Sequence, residues 1–279
     1  MQFNALFLIA LASFATALPE PIAVDGNTAD AVAPRWGSYP SWGGSSGGST
    51  GGSWWGGSTG GSTGGSSDAS SGSSSGGSSS AAACNSYTVI TTRGTGEAQG
   101  PSAGFRTMNS QLTSSTSGGK LYNTVYPAGF SQNSAQGTQD IVNKVTTTLR
   151  SNPNECFILQ GYSQGGAATT NALPKLTGSA FDAVKGVFII GNPLHKRGLD
   201  CNVDSNGGTT TKNVQGISAG LGSGIPQNWV SKTMDVCAFG DGVCDTTNGR
   251  GINGPHLSYG SDRNVQQMGL TFMKKQLGR

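Results

Sequence analysis

The sequence predicts a single α/β domain, a three-layer α/β/α sandwich around a central five-stranded parallel sheet. Three observations carry this reading. Short β-branched or apolar runs alternate with segments whose apolar residues recur at helical spacing. The runs are apolar enough to be buried on both faces, as parallel strands between two helical layers must be. Finally, Gly161-Tyr162-Ser163-Gln164-Gly165 stands between one such strand and one such helix.

Taken in order, Tyr87–Thr92 is a short β-branched strand, and Phe105, Met108 and Leu112 follow at helical spacing. Leu121–Tyr126 is the second strand, stopped by Pro127, which cannot donate to a ladder. Ile141, Val142, Val145 and Leu149 share one face of a helix over Gln139–Arg150. Phe157–Gln160 is a strand, and Ala167–Leu173 a helix after the serine turn. Lys185–Ile190 is a strand ending in Gly191-Asn192-Pro193. Beyond a glycine-rich irregular stretch, Lys232–Ala238 is the last strand, and Val265, Met268 and Phe272 mark a C-terminal helix. In sheets of this kind the chemistry lies beyond the carboxyl ends of the strands. There is no internal repeat.

The chain ahead of this domain has a different character. In residues 1–17, an apolar run from Phe3 to Phe14 closes on Ala15-Thr16-Ala17, the small-residue pattern of a cleaved secretory signal, though without the usual basic start. Residues 18–36 read as a propeptide or spacer. Residues 37–83 read as a disordered linker: 34 of the 44 residues from Gly37 to Ser80 are Gly or Ser, too little apolar surface to offset the entropy of ordering. Trp36, Trp42, Trp54 and Trp55 interrupt it and could attach to a polymer or a cell wall. The globular domain is then 84–279.

Within it, 16 Lys and Arg against 10 Asp and Glu are dispersed with no basic stripe, which argues against nucleic-acid binding. No apolar run beyond the leader could span a membrane. Five cysteines in a secreted chain give two bridges and one leftover thiol. Cys84 and Cys156 each precede a strand; if those strands are parallel neighbours, both lie at one sheet edge within bridging reach. Cys237 and Cys244 would close a small loop and leave Cys201 unpaired. With two histidines and no CxxC pair, no metal site is expected.

The G-x-S-x-G turn forces its serine into a strained conformation at the positive end of the following helix, lifting the hydroxyl above the sheet. Ser163 is therefore a candidate nucleophile, with the Gln164 amide pointing where an oxyanion would form. A serine hydroxyl needs a base, and the base an orienting acid. His256 lies in a loop after the last strand, and Asp241 precedes it in the loop Cys237–Cys244, giving the order Ser…Asp…His used by sheets of this type. His195 is a rival base, although Asp182 lies at the wrong sheet edge for it and Asp200 reverses the chain order; Asp245 is the alternative acid. The loop Arg93-Gly94-Thr95-Gly96-Glu97 after the first strand offers Thr95 as the second oxyanion donor. It does not match a dinucleotide-binding turn, because the glycine spacing is off by one and Pro101 follows. Ile217, Leu221, Ile225, Ile252 and Leu257 are candidates for an apolar wall around the site.

Arg93-Gly-Thr-Gly-Glu97, Gly161-Tyr-Ser-Gln-Gly165, Cys237-x-x-Gly240-Asp241-x-x-Cys244 and Pro255-His256-Leu257-x-Tyr259 together resemble the four signature blocks of the cutinase family. The match covers the domain from Cys84 onward. Gly191-Asn-Pro-Leu-His-Lys196 and Cys201-Asn-Val-Asp-Ser-Asn-Gly-Gly208 resemble its yeast and fungal cutinase-like branch. The resemblance implies a lidless α/β-hydrolase fold, Ser163, Asp241 and His256 as catalytic residues, Thr95 and Gln164 as the oxyanion hole, and the bridges Cys84–Cys156 and Cys237–Cys244. With the leader and the lack of metal ligands, the expectation is a secreted, monomeric serine esterase with no cofactor and no metal. Its partners would be an ester polymer (cutin or an aliphatic polyester) or a short acyl ester. Deacetylation of a carbohydrate such as acetylxylan, or a non-catalytic wall-binding role, are the alternatives.

Overall fold

The computed structural model describes residues 83–279. The expected signal peptide, propeptide and Gly/Ser linker, with their tryptophans, lie outside the described residues. Six strands form one sheet: β1 (Tyr87–Thr92), β2 (Gly119–Asn123), β3 (Cys156–Tyr162), β4 (Val184–Ile190), β5 (Asn202–Val203) and β6 (Thr233–Val236). Their order is β2-β1-β3-β4-β6-β5, with every neighbouring pair parallel. Helices α1 (Arg106–Ser115), α2 (Ala135–Ser151), α3 (Gln164–Ala172), α4 (Ser179–Ala183), α5 (Gly254–Leu257) and α6 (Arg263–Gln276) connect and cover them.

The strand pattern explains the three layers. Along β4, Phe188 and Ile190 join the core with Phe105, Met108, Leu112, Val265 and Phe272, whereas Val187 and Ile189 join the core with Ile141, Val145, Ala168 and Leu173. A period of two therefore feeds both faces, and each face is covered by its own helices. One polar cluster is buried among these side chains. Gln160 exchanges hydrogen bonds with Asn109 at 2.8 and 2.9 Å and accepts from Thr91, tying α1 to β1 and β3.

Five strands were expected and six are present. The sixth, β5, is two residues long and pairs with β6 through Asp235 N–H to Cys201 O and Cys237 N–H to Val203 O, both 2.9 Å. Two residues carry no readable periodicity, so only the packing of the loop against β6 makes it a strand. The second strand also begins two residues earlier than expected and ends at Asn123. Beyond it the Val125 amide turns to the Asp140 carboxylate rather than to a ladder partner.

Tyr87 pairs in register with Cys156, and the Cys84–Cys156 bridge closes at that edge with a Cα–Cα distance of 6.0 Å. Cys237 and Cys244 form the second bridge, and Cys201 is a buried free thiol. Burial pushes that thiol up to about 12, so it stays un-ionised and unreactive.

Between β3 and α3 the chain reverses at Ser163, which adopts φ 54°, ψ −121°. A Cβ on Gly161 would meet Gly165 O at 2.5 Å, and one on Gly165 would meet Thr92 O at 2.2 Å. The turn closes only because both neighbours lack side chains. The crossover from β1 goes out to β2 and that from β3 to β4, so the carboxyl ends of β1 and β3 bound a topological switch point.

A buried ion pair ties the segment after β4 to β6. His195 Nδ1 donates to Asp235 Oδ2 at 2.8 Å and Nε2 faces Thr211 O at 3.2 Å. Two acceptors on one imidazole require both nitrogens protonated. Burial pulls this imidazole's pKa down, but the Asp235 charge, its hydrogen bond and the Thr211 carbonyl outweigh burial, so the net shift is upward.

Two outcomes are expected. Gly165→Ala should lower stability by about 1–3 kcal/mol or more through overpacking, read as a fall in Tm. A pKa raised on folding contributes stability that is complete below the unfolded value of about 6.5 and is lost as pH rises through the folded value. The wild-type Tm should thus decline across that alkaline limb, and the double variant His195→Gln/Asp235→Asn should lack that component of the decline.

Candidate active site

Four loops at the carboxyl ends of β1, β3, β4 and β6 converge on Ser163. His256 Nε2 lies 2.9 Å from Ser163 Oγ, and His256 Nδ1 lies 2.9 Å from each oxygen of Asp241. The three side chains make a continuous hydrogen-bonded chain, with Ser163, His256 and Asp241 exposed by 5%, 1% and 0%. The carboxylate can only accept, so it fixes the proton on Nδ1 and leaves Nε2 free to receive the serine proton.

Local sequence explains each placement. Asp241 sits in the loop closed by Cys237–Cys244, and its Oδ1 also accepts from Val243 N–H at 2.8 Å. His256 is the third residue of the single-turn helix α5, whose N-cap Asn253 accepts from His256 N–H and donates to Gly240 O at 2.7 Å. Asn253 therefore couples the histidine loop to the aspartate loop. Gly191, directly after β4, has φ +58°, and a Cβ there would meet His256 Cε1 at 2.8 Å, so only glycine leaves room for the ring. Tyr162 Oη donates to His256 O at 2.8 Å, fixing the helix above the elbow. Its own hydroxyl is raised in pKa by burial and then by the nearby charges of Glu97 and Asp241, so it remains a donor.

Opposite the histidine, Gly94 approaches so closely that a Cβ would lie 3.4 Å from Ser163 Cβ. The Arg93–Glu97 turn that presents Thr95 is clamped from within. Glu97 accepts from Gly94 N–H, Ser102 Oγ and Ala103 N–H, while the buried Arg93 guanidinium donates to Glu97 O, Gln99, Thr124 O and Tyr126 O. The segment after β2 braces the same turn: Gly96 N–H donates to Ala128 O, Thr95 Oγ1 to Gln132, and Gln164 Nε2 to Gly129 O. The Thr95 hydroxyl is thus engaged by Gln132, which leaves its amide as the group for an oxyanion. Gln164 is the first residue of α3, so its amide has no acceptor inside its own helix.

A cleft of about 240 Å³ opens beside Ser163, lined by Gly94, Thr95, Glu97, Tyr162, Ile252 and Leu257 among others. Of the five aliphatic residues expected as a wall, Ile252 and Leu257 line it. Ile217 and Leu221 are exposed and do not line this cleft, and Ile225 is buried in the core with Leu173 and Trp229. Phe130, with 84% of its surface exposed, lies against the Gly94–Glu97 turn at Gly96, a position that loop composition alone did not flag. A larger groove of about 740 Å³, lined by Met234, Met268 and Lys275, lies away from these residues and holds none of them.

The alternatives weighed from sequence fall elsewhere. His195 is paired with Asp235, a partner in the middle of the last strand that chain order did not suggest. Asp245 is turned into its own loop, accepting from Gly240, Thr247 and Asn248. Among the described residues no cluster of metal-ligating side chains occurs, and no helix is long and apolar enough to cross a membrane.

Comparison with known proteins follows the same outline. The family model for cutinase matches residues 83–277. A cutinase of Monilinia fructicola is 30% identical over 188 residues, spanning 65% of this chain and 80% of that protein. A cutinase-like protein from Cryptococcus sp. is 63% identical in structure-based alignment, with TM-score 0.69, covering 71% of this chain and 97% of that one. An acetylxylan esterase at 24% identity and TM-score 0.58 shares the fold. The chain belongs to the cutinase family of carboxylic ester hydrolases.

Proposed function

We propose that this chain is a secreted, monomeric serine esterase that cleaves cutin-type and aliphatic polyesters as well as short acyl esters, with Ser163, His256 and Asp241 as its catalytic residues. The 2.9 Å contact between Ser163 Oγ and His256 Nε2, backed by Asp241 on Nδ1, carries the reading. His256 takes the hydroxyl proton as Ser163 Oγ attacks the ester carbonyl. The Thr95 and Gln164 amides stabilise the oxyanion of the tetrahedral intermediate, and such a donor is worth about 10²–10³-fold in turnover. Collapse expels the alcohol, which receives the proton from His256. Water then attacks the acyl-enzyme, giving up a proton to His256 and returning Ser163 with release of the acid.

The open cleft suits a chain segment lying across the surface, since Ile252 and Leu257, both more than half exposed, line it beside the serine. Secretion rests on the leader in residues 1–17 and on two disulfides, which persist in oxidising surroundings.

Hydrolysis of p-nitrophenyl butyrate, with a phosphonate probe located by mass, tests the roles directly. Ser163→Ala and His256→Ala should each lower kcat by about 10³-fold or more, and the probe should label Ser163 alone. Near-normal turnover in either variant would remove that residue from the mechanism. Faster release from a short aliphatic polyester than from acetylated xylan is expected, and the reverse would assign deacetylation. The secreted protein should begin at Leu18 or later, read by N-terminal sequencing.

A further inference from the structure

The His256–Asp241 pair has a third partner that the reaction scheme does not use. Tyr259, three residues after His256 and fully buried, places its hydroxyl 2.5 Å from Asp241 Oδ2. The Tyr259 hydroxyl oxygen itself accepts the Ala238 N–H at 3.0 Å, at the start of the loop that carries Asp241. With that lone pair occupied, the hydroxyl's proton is directed at the carboxylate. Its ring meets His256 edge-on at 6.3 Å and Tyr162 at 6.0 Å.

Asp241 thus receives donors from Val243 N–H, His256 Nδ1 and Tyr259 Oη while being wholly removed from solvent. A hydrogen bond of this length to a charged acceptor belongs to the strong class. It does two things to the carboxylate. It fixes the plane in which both oxygens face the imidazole, and it withdraws part of the negative charge that the imidazolium will feel.

We propose that Tyr259 is a positioning residue for ester hydrolysis, orienting Asp241 against His256 and moderating the charge it offers to the imidazolium formed when Ser163 attacks. This rests on the catalytic roles assigned above. Burial, then the Asp241 charge and hydrogen bond, hold the phenol far above its ordinary range, so it stays a donor at all working pH values. Other titratable groups near the pair are Asp235 and His195 behind the aspartate loop, and Tyr162 with Glu97 on the elbow side.

The test is the kcat/KM–pH profile of Tyr259→Phe, with kcat normalised to active sites titrated by the phosphonate. Phenylalanine keeps the ring contacts and removes only the donor. The expected result is a fall in kcat of about 10–100-fold, the range for losing a hydrogen bond to a charged group, with KM little changed. The acid limb should also move to higher pH, because a carboxylate without this donor holds the imidazolium more strongly. A purely structural tyrosine would change the fraction of titratable sites and leave that limb in place.

Incorporation of 3-fluorotyrosine at position 259, a stronger donor of the same shape, should move the limb the other way; it serves equally if the phenylalanine variant does not fold. Normalised kcat within twofold of wild type and an unmoved limb in the variants would overturn the proposal. Ser163→Ala is run in parallel: residual full activity there would instead sink the assignment of the serine, so the two failures are separable.

Discussion

Everything at this site depends on one close approach of backbone to backbone. The turn after β3 brings Gly165 against the carbonyl of Thr92 and Gly161 against Gly165, at separations that leave no space for a Cβ. Ser163 is thereby held at φ 54°, a conformation that costs a non-glycine residue on the order of 1–3 kcal/mol. The strain is sustained because both flanking elements are fixed: β3 is buried along its whole length and α3 packs on the sheet and on α2. The hydroxyl emerges at the switch point between β1 and β3, beside the loop of Thr95 and across from the loops of Asp241 and His256.

The surrounding loops have little apolar surface with which to hold themselves, and they are organised by saturating buried polar groups. Glu97 ties its own turn to Ser102 and Ala103 through three donors, Asp245 gathers Gly240, Thr247 and Asn248 in the loop after Cys237, and Asn253 bridges the loops of Asp241 and His256. The His195–Asp235 pair anchors the segment after β4 to the last strand. Each group would be costly to leave unmatched in the interior, so each one narrows the conformations available to its loop. The reacting groups gain a fixed geometry without a lid, and the cleft beside them stays open to a chain lying on the surface.

Much of this was legible in the residue order. Strands with apolar runs, helices with a 3.6-residue period and the glycine-flanked serine all report local constraints, and local constraints are written in neighbouring residues. The Cys84–Cys156 pairing followed from β1 and β3 as parallel neighbours, and the Cys237–Cys244 pairing from the short loop between those cysteines. Illegible features were those made by residues far apart in sequence: Asp235 as the partner of His195, Gln160 as the hub of a buried network, and Tyr259 on Asp241. Nothing in a middle-strand aspartate distinguishes a buried ion pair from an exposed turn. Likewise Ile225 and Ile252 look alike in sequence, yet one fills the core and the other lines the cleft.

The residue order by itself determined the class of fold, the nucleophile turn and the identity of the two histidines between which a base had to be chosen, because period, glycine placement and scarcity are properties of the chain. Tertiary structure decided which histidine reaches the serine, how the aspartate is held and which apolar side chains face the cleft. Those outcomes depend on distances across loops from separate strands, and such distances exist only once the sheet has brought the loops to one edge.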